Sequence, residues 1–207
     1  MSSELNLPLI LMAAFMTSAS PGPATLAIAG TSMESGRKHG LALAAGIMTG
    51  SLIWSTAAAL GFGALMLANA WAFEIIRYVG AAYLLYLGFR SARSAMRAGD
   101  PHVSVVTGTF GKIYAKGLAL HLTNPKAILF FGSLYAIGLP PDATPTQIVT
   151  VVAAIGTQSF LIFHGYALLF SNRAMTRTYQ HLRRWFDSVF ALAFGYAGIK
   201  VLTARLQ

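Results

Sequence analysis

The stretch Ser18-Ala19-Ser20-Pro21-Gly22-Pro23-Ala24 interrupts the first apolar run of the chain, which extends from about residue 5 to residue 33. Pro21 and Pro23 have no backbone N–H, and Gly22 tolerates dihedral angles that other residues avoid, so a helix should break here. In a soluble protein this stretch would be a turn. Inside a membrane, a broken helix persists only where it packs against protein or lines a polar cavity.

Composition assigns the chain to the integral membrane proteins. Of its 207 residues, 56% are hydrophobic and only 10% are charged, and the mean hydropathy is +0.61. Soluble domains carry about 25% charged residues. The absence of cysteine excludes disulfides, thiolate metal sites and thiol redox chemistry. No Lys or Arg precedes the first apolar run, so a signal peptide is not indicated and the run is expected to be retained.

Six apolar runs are long enough to cross a bilayer core of about 30 Å, which requires roughly 20 residues in a helix. They are residues 5–33, 41–68, 71–89, 113–139, 146–170 and 185–202. The longest polar stretches, 90–112 and 171–184, are interpreted as loops. The sequence therefore predicts an all-α integral membrane protein, residues 1–207 forming one domain of six transmembrane helices, with helices one and four broken by proline.

The basic residues predict the orientation of these helices. The formal net charge is +9, and eleven of the 15 Lys and Arg residues lie in or beside three alternate loops. They are Arg37, Lys38, Arg90, Arg93, Arg97, Lys112, Lys116, Arg173, Arg177, Arg183 and Arg184. The positive-inside rule makes these loops cytoplasmic and places both termini outside. Because these cations lie between apolar runs, topology explains them and nucleic acid is not expected as a partner.

The six helices divide into two copies of three, residues 1–98 and 110–207. Ser20-Pro21-Gly22-Pro23-Ala24 corresponds to Asn124-Pro125-Lys126-Ala127, and Tyr86-Leu87-Gly88-Phe89-Arg90 corresponds to Tyr196-Ala197-Gly198-Ile199-Lys200. An odd number of helices in each copy forces the copies into opposite orientations. Inverted repeats with helices broken near the bilayer midplane are a recurring design of transporters.

Both breaks have the sequence of a helix start. Proline is well tolerated in the first turn of a helix, and Ser or Asn is favoured just before it. Ser20-Pro21 and Asn124-Pro125 therefore predict two half-helices whose N-termini meet at mid-membrane. Their partial positive charge and unpaired N–H groups, expected at Gly22, Ala24, Lys126 and Ala127, suit a carboxylate. The alternative is that both prolines merely kink packed helices.

Lys126 is the most informative single residue. It lies ten residues beyond Lys116, about 15 Å along a helix, and ionisable residues at such depth are functional suspects. Its ammonium is expected to pair with a carboxylate, to take part in proton coupling, or to cap free carbonyls of the first half-helix. His164 is expected to carry a proton or to bridge helices, and Gln158 and His121 are similar polar candidates. The hydroxyl groups expected to bind freed backbone groups or a substrate amine are those of Thr17, Ser20, Thr25 and Thr123.

The sequence contains no evident enzyme constellation. His121, His164 and His181 lack metal-ligand spacing, the six acidic residues are expected at helix ends or in loops, and no phosphate-binding loop is present. The sequence therefore predicts no catalytic residue, no metal site, no cofactor and no ATP drive. An integral-membrane enzyme stays an alternative, for which only His164, His121 and Lys126 are available.

The chain resembles the LysE/RhtB family of bacterial amino-acid exporters over nearly its whole length. In sequence order, the motifs that carry the resemblance are Ser20-Pro21-Gly22-Pro23, Ser35-Gly36-Arg37 with Gly40, Gly46 and Gly50, Gly80-Ala81-Ala82-Tyr83-Leu84 with Gly88, Asn124-Pro125-Lys126-Ala127 and Phe130-Phe131. Many members have Asn or Asp after Pro-Gly-Pro, where this chain has Ala24, so Thr25 is the substitute contact that we consider. The GxxxG pair Gly46 and Gly50 favours close helix packing within or between subunits and permits a homodimer without establishing one.

The resemblance implies export of amino acids or close derivatives across the bacterial inner membrane by a multi-pass protein, driven by proton antiport. The site is expected to comprise Thr17, Ser20, Pro21, Gly22, Pro23, Thr25, Thr123, Asn124, Pro125, Lys126 and His164. Because no acidic residue is expected deep in a helix, neutral substrates such as homoserine, threonine or leucine are favoured. A divalent metal-ion exporter of the same superfamily is the alternative, although the chain offers few suitable ligands.

Overall fold

All regular structure is helical in the residues that this computed structural model describes, which are 5, 7–68, 70–96, 104–139 and 143–203. The helices in chain order are α1 (Leu7–Ala19), α2 (Pro23–Ser35), α3 (Arg37–Ala68), α4 (Ala70–Met96), α5 (Phe110–Leu122), α6 (Pro125–Gly138), α7 (Pro145–Phe170) and α8 (Arg173–Thr203). The prediction of an all-α chain is confirmed for this part of the sequence. Arg97, one of the predicted cytoplasmic cations, lies outside the described residues.

Both predicted helix breaks are present. The first apolar run forms α1 and α2, whose axes differ by 51°, with Ser20, Pro21 and Gly22 between them. The fourth run forms α5 and α6, with the break at Thr123 and Asn124. The proline motifs therefore interrupt helices where the sequence analysis placed the interruptions.

The prediction that residues 171–184 form a loop is wrong. Only Ser171 and Asn172 separate α7 from α8, and the Oδ1 atom of Asn172 accepts a hydrogen bond from the N–H of Ala174 at 2.9 Å. No glycine or proline occurs between Arg173 and Phe194, so no residue of that stretch breaks the helix. The sixth apolar run is thus the second half of one long helix.

Two single helices in the described part of the chain are long and apolar enough to cross a membrane. They are Arg37–Gly61, within α3, and Pro145–Phe170, which is α7. The bent pair α1 and α2 makes a third if the two helices count as one span. The finding supports a membrane protein, and six crossings in two inverted repeats stay a prediction.

Glycine brings α3 and α5 into close contact. A Cβ atom at Gly117 would lie 2.5 Å from the carbonyl oxygen of Leu43, and a Cβ atom at Gly46 would overlap the carbonyl oxygen of Tyr114. A Cβ atom at Gly50 would lie 2.9 Å from a side-chain atom of the same helix α5. The GxxxG pair therefore packs two helices of one chain together.

A buried acidic residue lies between α4 and α8. The side chain of Asp187 is 1% exposed, accepts a hydrogen bond from Ser94 at 2.7 Å and lies 3.5 Å from the Nε atom of Arg183. Arg183 also donates to the Ser94 hydroxyl at 2.9 Å. The expectation that every acidic residue lies at a helix end or in a loop is wrong here, because α8 begins at Arg173 and encloses Asp187.

Two buried apolar clusters meet at the helix breaks. One joins α1, α3, α6 and α7 and includes Ile10, Phe131 and Ala127. The other joins α2, α3, α5 and α7 and includes Ala24 and Ile47. Ala24 follows the first break and Ala127 follows the second. The polar residues of the two breaks therefore lie where the two clusters adjoin.

Candidate functional site

The carbonyl groups at the end of α1 are bound by donors from two parts of the chain. Ser20 donates from its own N–H to the Met16 carbonyl at 2.9 Å and from its hydroxyl to the Thr17 carbonyl at 3.0 Å. The Tyr166 hydroxyl, from α7, donates to the Ala19 carbonyl at 2.5 Å. Because free carbonyls are costly in a membrane, these bonds stabilise the interruption.

The second half of the broken helix begins two residues later than predicted. The sequence analysis placed Ser20 before the first turn, but α2 starts at Pro23, with Gly22 as its N-cap. Pro23 is just as suited to the first helical position as Pro21 is. The Thr25 hydroxyl also accepts a hydrogen bond from the Gly22 N–H at 2.9 Å, which stabilises the later start. Ser20 is thereby left free to contact a different helix.

The second break has the predicted geometry. Asn124 is the N-cap of α6, Pro125 is its first residue, and the Asn124 side chain accepts a hydrogen bond from the Lys126 N–H at 3.0 Å. The Ala127 N–H is bound to the Asn124 carbonyl at 2.9 Å. Asn124 therefore caps the helix start in the way that favours this residue type.

The expectation of unpaired N–H groups is wrong at three of its four positions. Gly22, Lys126 and Ala127 all donate their backbone N–H to Thr25 or Asn124 at 2.9–3.0 Å. The Thr25 hydroxyl and the Asn124 side chain accept from Gly22 and Lys126, and the Asn124 carbonyl accepts from Ala127, so these N–H groups are unavailable to an anion. An anion at this site would therefore be held mainly by a side-chain cation.

That cation is Lys126, which connects the two breaks. Its Nζ atom donates to the Ser20 carbonyl at 3.1 Å and to the Ser20 hydroxyl at 2.5 Å. A Cβ atom at Gly22 would lie 3.3 Å from the same Nζ atom, so the glycine leaves the space that the ammonium occupies. Capping the first half-helix, one of the roles considered for Lys126, is confirmed for the Ser20 carbonyl.

A cavity of about 30 Å³ lies between the two breaks, which is room for one or two water molecules. Six of the predicted site residues line it, namely Thr17, Ser20, Gly22, Thr25, Asn124 and Lys126. The other lining residues are Ser18, Ala24, Ser51, His121, Ala127, Phe130, Phe131 and Phe163. No Asp or Glu side chain is among them, so no acidic group of the described residues offsets the charge of Lys126 in the cavity wall.

Four predicted site residues do not line this cavity. They are Pro21, Pro23, Thr123 and His164. The side chain of Pro125 lies outside the described part of the structure. The Thr123 hydroxyl donates to the Ala119 carbonyl at 2.9 Å within its own helix. The His164 Nδ1 atom lies 3.0 Å from the Phe160 carbonyl, one turn earlier in α7. His164 therefore bonds within its helix, and Nδ1 does not bridge to another one.

Two polar side chains in the cavity wall have no hydrogen-bond partner among the described residues. They are the Thr17 hydroxyl and both ring nitrogens of His121, and the two residues are 6% and 5% exposed. His121 appears in the sequence analysis only as a polar candidate. The glycine at position 50 was the available signal, since it allows α3 to approach the turn of α5 that carries this histidine.

A second, larger cavity of about 590 Å³ lies between α3 and α7. Its wall is mostly apolar, with Leu52, Ile148 and Phe160 among the lining residues, and it contains none of the predicted site residues. In the part of the chain that the structure describes, no three His, Asp or Glu side chains come together where they could hold a metal ion. The cavity at the breaks is therefore the site that we consider further.

Comparison with known proteins gives consistent matches along the chain. The family model described as LysE type translocator matches residues 15–205. A threonine efflux protein of Salmonella typhi is 30% identical over 191 residues, which are 90% of this chain and 92% of the relative. A threonine efflux protein of Escherichia coli K12 is 30% identical over 189 residues, with the same coverage. An uncharacterized membrane protein of Haemophilus influenzae is 28% identical over 199 residues, 94% of this chain and 93% of the relative. No solved structure matches the chain.

The family match includes both helix breaks and the cavity between them, since it extends from α1 to the end of α8. It confirms the resemblance seen in the sequence, as well as the expectation of a transporter rather than an enzyme and of a multi-pass protein in the bacterial inner membrane. We conclude that the chain belongs to the LysE-type translocator family.

Proposed function

We propose that this protein exports a small neutral amino acid, of the threonine or homoserine type, across the bacterial inner membrane by proton antiport. Support for the substrate class comes from relatives named threonine efflux proteins, which match the chain over nine-tenths of its length. The observation that carries the proposal within the structure is the Lys126 ammonium in a cavity wall to which the described residues contribute no acidic side chain.

Lys126 is suited to bind the carboxylate of an amino acid. An ammonium group has three N–H donors, and Ser20 accepts from Lys126 with both its carbonyl and its hydroxyl oxygen. A partly buried cation without a partner of opposite charge among the described residues favours an anionic ligand, because the ligand replaces the water that the cation has lost. The half-helix start at α6 adds a partial positive charge of the same sign.

The remaining polar groups of the cavity are suited to the other end of the substrate. Hydroxyl groups of Thr17, Ser20 and Thr25 line the wall together with Asn124. They provide acceptors for an ammonium group and both donors and acceptors for a side-chain hydroxyl. We therefore assign binding to these four residues and Lys126, and a conformational role to the prolines at positions 21, 23 and 125.

A neutral substrate agrees with the charges near the cavity. Asp187 is the buried acid that the sequence analysis did not expect, but it is paired with Arg183 and Ser94 and does not line the cavity. A cationic side chain would therefore find no acidic partner at the site. This reasoning favours threonine, homoserine or leucine over lysine or arginine.

We also propose six membrane crossings in two inverted repeats of three, about 1–98 and 110–207. Two sets of helix contacts support this arrangement. Helix α1 packs on α7 as α5 packs on α3, and α2 packs on α7 as α6 packs on α3. In the two repeats, α1 corresponds to α5, α2 to α6 and α3 to α7. Exchanging the repeats therefore turns the first contact of each pair into the second. Alternating access would then follow from motion of one repeat against the other.

The cavity is too small for an amino acid at about 30 Å³, which holds one or two waters. Substrate binding therefore requires the two breaks to separate. In that motion the Lys126–Ser20 hydrogen bonds are exchanged for bonds to the substrate carboxylate. The described conformation is the closed form of the proposed cycle.

The experiment that tests this function measures efflux from bacterial cells loaded with dipeptides, with the external amino acids quantified by mass spectrometry. The variants are wild type, Lys126→Ala, the matched control Lys116→Ala, and empty vector, each with and without a protonophore. Lys116 is exposed, donates to the Thr107 carbonyl and does not line the cavity, so its loss should leave export unchanged.

We expect protonophore-sensitive export of one or a few neutral amino acids by the wild type and by Lys116→Ala. Lys126→Ala should reduce it by about tenfold or more, the loss expected for one charge-assisted contact. Wild-type efflux equal to that of the vector, with the protein shown to be in the membrane, would overturn the amino-acid assignment. Export that continues in the presence of the protonophore would overturn proton antiport but not the export of amino acids.

A further inference from the structure

His121 is packed between α3 and α7, and its ring nitrogens have no hydrogen-bond partner among the described residues. Its side chain lies against Gly50 of α3, where a Cβ atom would come within 2.9 Å. The ring also meets Phe163 of α7 edge-on, with centroids 5.9 Å apart. The residue is 5% exposed, and neither ring nitrogen has a partner in the described chain. A buried polar group left without a hydrogen bond is costly, so a small ligand at these nitrogens is favoured.

The groups that face His121 leave one charge beside it. Lys126, from α6, is the charged residue in the cavity wall. Helix α3 contributes Gly50 and Ser51, and α7 contributes the apolar ring of Phe163. The first broken helix adds hydroxyl groups, of Thr17, Ser20 and Thr25. A protonated His121 would therefore place a second positive charge next to Lys126, and no carboxylate among the described wall residues offsets either charge.

A neutral imidazole and an imidazolium treat an ammonium ligand in opposite ways. The neutral ring always has one nitrogen that accepts a hydrogen bond, whereas the protonated ring only donates. The neutral ring therefore holds an ammonium group, and the protonated ring repels it. The unperturbed histidine side chain makes this change near neutral pH.

We propose that His121 binds the substrate ammonium and the coupling proton in turn, so that the presence of one excludes the other. The Thr17 hydroxyl, the other unpartnered group of the cavity wall, accepts a second N–H of the ammonium, and Lys126 binds the carboxylate. The inference rests on the proposed function and deepens it, since it supplies the residue through which proton and amino acid are exchanged.

The exchange has a defined direction and ratio. On the outside, release of the amino acid frees the imidazole nitrogen, which takes up one proton. On the inside, binding of the next zwitterion displaces that proton to the cytoplasm. One proton thus enters for each zwitterionic amino acid that leaves, and the inward proton gradient favours outward transport.

The test measures proton release when L-threonine binds to the purified full-length protein. Titration calorimetry in two buffers of different ionisation enthalpy gives the number of protons released, and titrations at several pH values give Kd. The variants are wild type, His121→Gln, His121→Asn, and the matched control His181→Gln, whose histidine is exposed and lies 2.8 Å from the Arg177 carbonyl of its own helix.

For wild type and His181→Gln we expect release of up to one proton, and a Kd that rises by up to about tenfold for each pH unit below the titration of the histidine. His121→Gln and His121→Asn should release none and bind with a Kd independent of pH. In proteoliposomes they should still exchange threonine for threonine but lose accumulation driven by a pH gradient.

The pH dependence of the wild type decides the proposal even if neither variant folds. A wild-type Kd that is constant between about pH 5 and 8, or proton release that persists in His121→Gln, would overturn it. Loss of proton release in His164→Gln, with release retained in His121→Gln, would assign the proton to His164. That result would also overturn the proposal. A wild type that neither binds nor transports any amino acid would overturn the proposed function, and with it this inference.

Discussion

The Lys126 ammonium binds the Ser20 carbonyl and hydroxyl across 106 positions of sequence. One residue thus joins the two helix breaks, which belong to different halves of the chain. Because the same ammonium lies in the cavity wall, any change that displaces it should alter both substrate binding and the contact between the halves.

Gly22→Ala tests this contact by crowding. The new Cβ atom would lie 3.3 Å from the Lys126 Nζ atom, so the ammonium must shift by a few tenths of an ångström. The backbone at position 22 is extended, with φ −170°, and accepts any residue, so only crowding changes. We expect a KM for export raised by up to about tenfold, or 1.4 kcal/mol, and a larger rise for Gly22→Val. An unchanged KM in both variants would show that the ammonium position does not matter for binding.

Asn124→Ala removes the N-cap of α6. The cost should be about 1 kcal/mol of stability, and export should fall because the Lys126 N–H loses its acceptor. Thr144→Ala is the matched control, since Thr144 caps α7 in the same way through the Gln147 N–H at 3.3 Å but lies outside the cavity. Thermal unfolding should show similar losses for both variants, and export per folded molecule should fall only for Asn124→Ala. Equal export by the two variants would contradict a role of this cap in the site.

Gly46→Ala should destabilise the contact of α3 with α5. Its Cβ atom would overlap the Tyr114 carbonyl oxygen, and overpacking of this kind costs about 1–3 kcal/mol. Gly61→Ala is the control, because a Cβ atom there meets nothing within 4 Å. Solubilised protein should show a lower unfolding temperature for Gly46→Ala alone. A change in oligomeric state without loss of stability would instead indicate a contact between subunits.

Asp187→Ala removes the buried carboxylate that accepts a hydrogen bond from Ser94 and lies beside Arg183. Removing one member of a buried ion pair typically costs about 3–5 kcal/mol, and the side chain of Asp187 is 1% exposed. Arg177→Ala, at an exposed position of the same helix, should cost little. We expect a large fall in the amount of folded protein and no change in the pH dependence of export by the remainder. A changed pH dependence would show that Asp187 takes part in proton coupling.

Features that depend on local sequence were predictable. The breaks at Pro21–Pro23 and at Pro125 follow from the chemistry of proline itself, and Asn124 is a favoured residue before a helix start. The shift of the first helix start from Pro21 to Pro23 was less evident. Pro21 and Pro23 are equally suited to the first position of a helix, so the proline rule cannot choose between them. The start at Pro23 depends on the Thr25 hydroxyl, which accepts a hydrogen bond from the Gly22 N–H.

Features that depend on how helix faces meet were not predictable from one sequence. His121 and His164 are both histidines in apolar helices, yet only His121 faces the cavity. The face that α5 presents is set by its glycine contact with α3, which lies far away in sequence. The burial of Asp187 was missed for a similar reason, since it depends on α4 as a neighbour and on a helix that starts earlier than expected.

Helix α7 holds α1 at two points along its length. Gln158 donates to the Leu11 carbonyl at 3.0 Å, and Tyr166 donates to the Ala19 carbonyl at 2.5 Å. With two attachments to carbonyl groups eight residues apart, we expect α1 and α7 to move as one rigid body. The segment from Ser20 to Gly22, which joins α1 to α2, is then the hinge between that body and the rest of the chain. Opening of the cavity would bend this hinge, and its stiffness would set how often each transporter molecule completes a cycle.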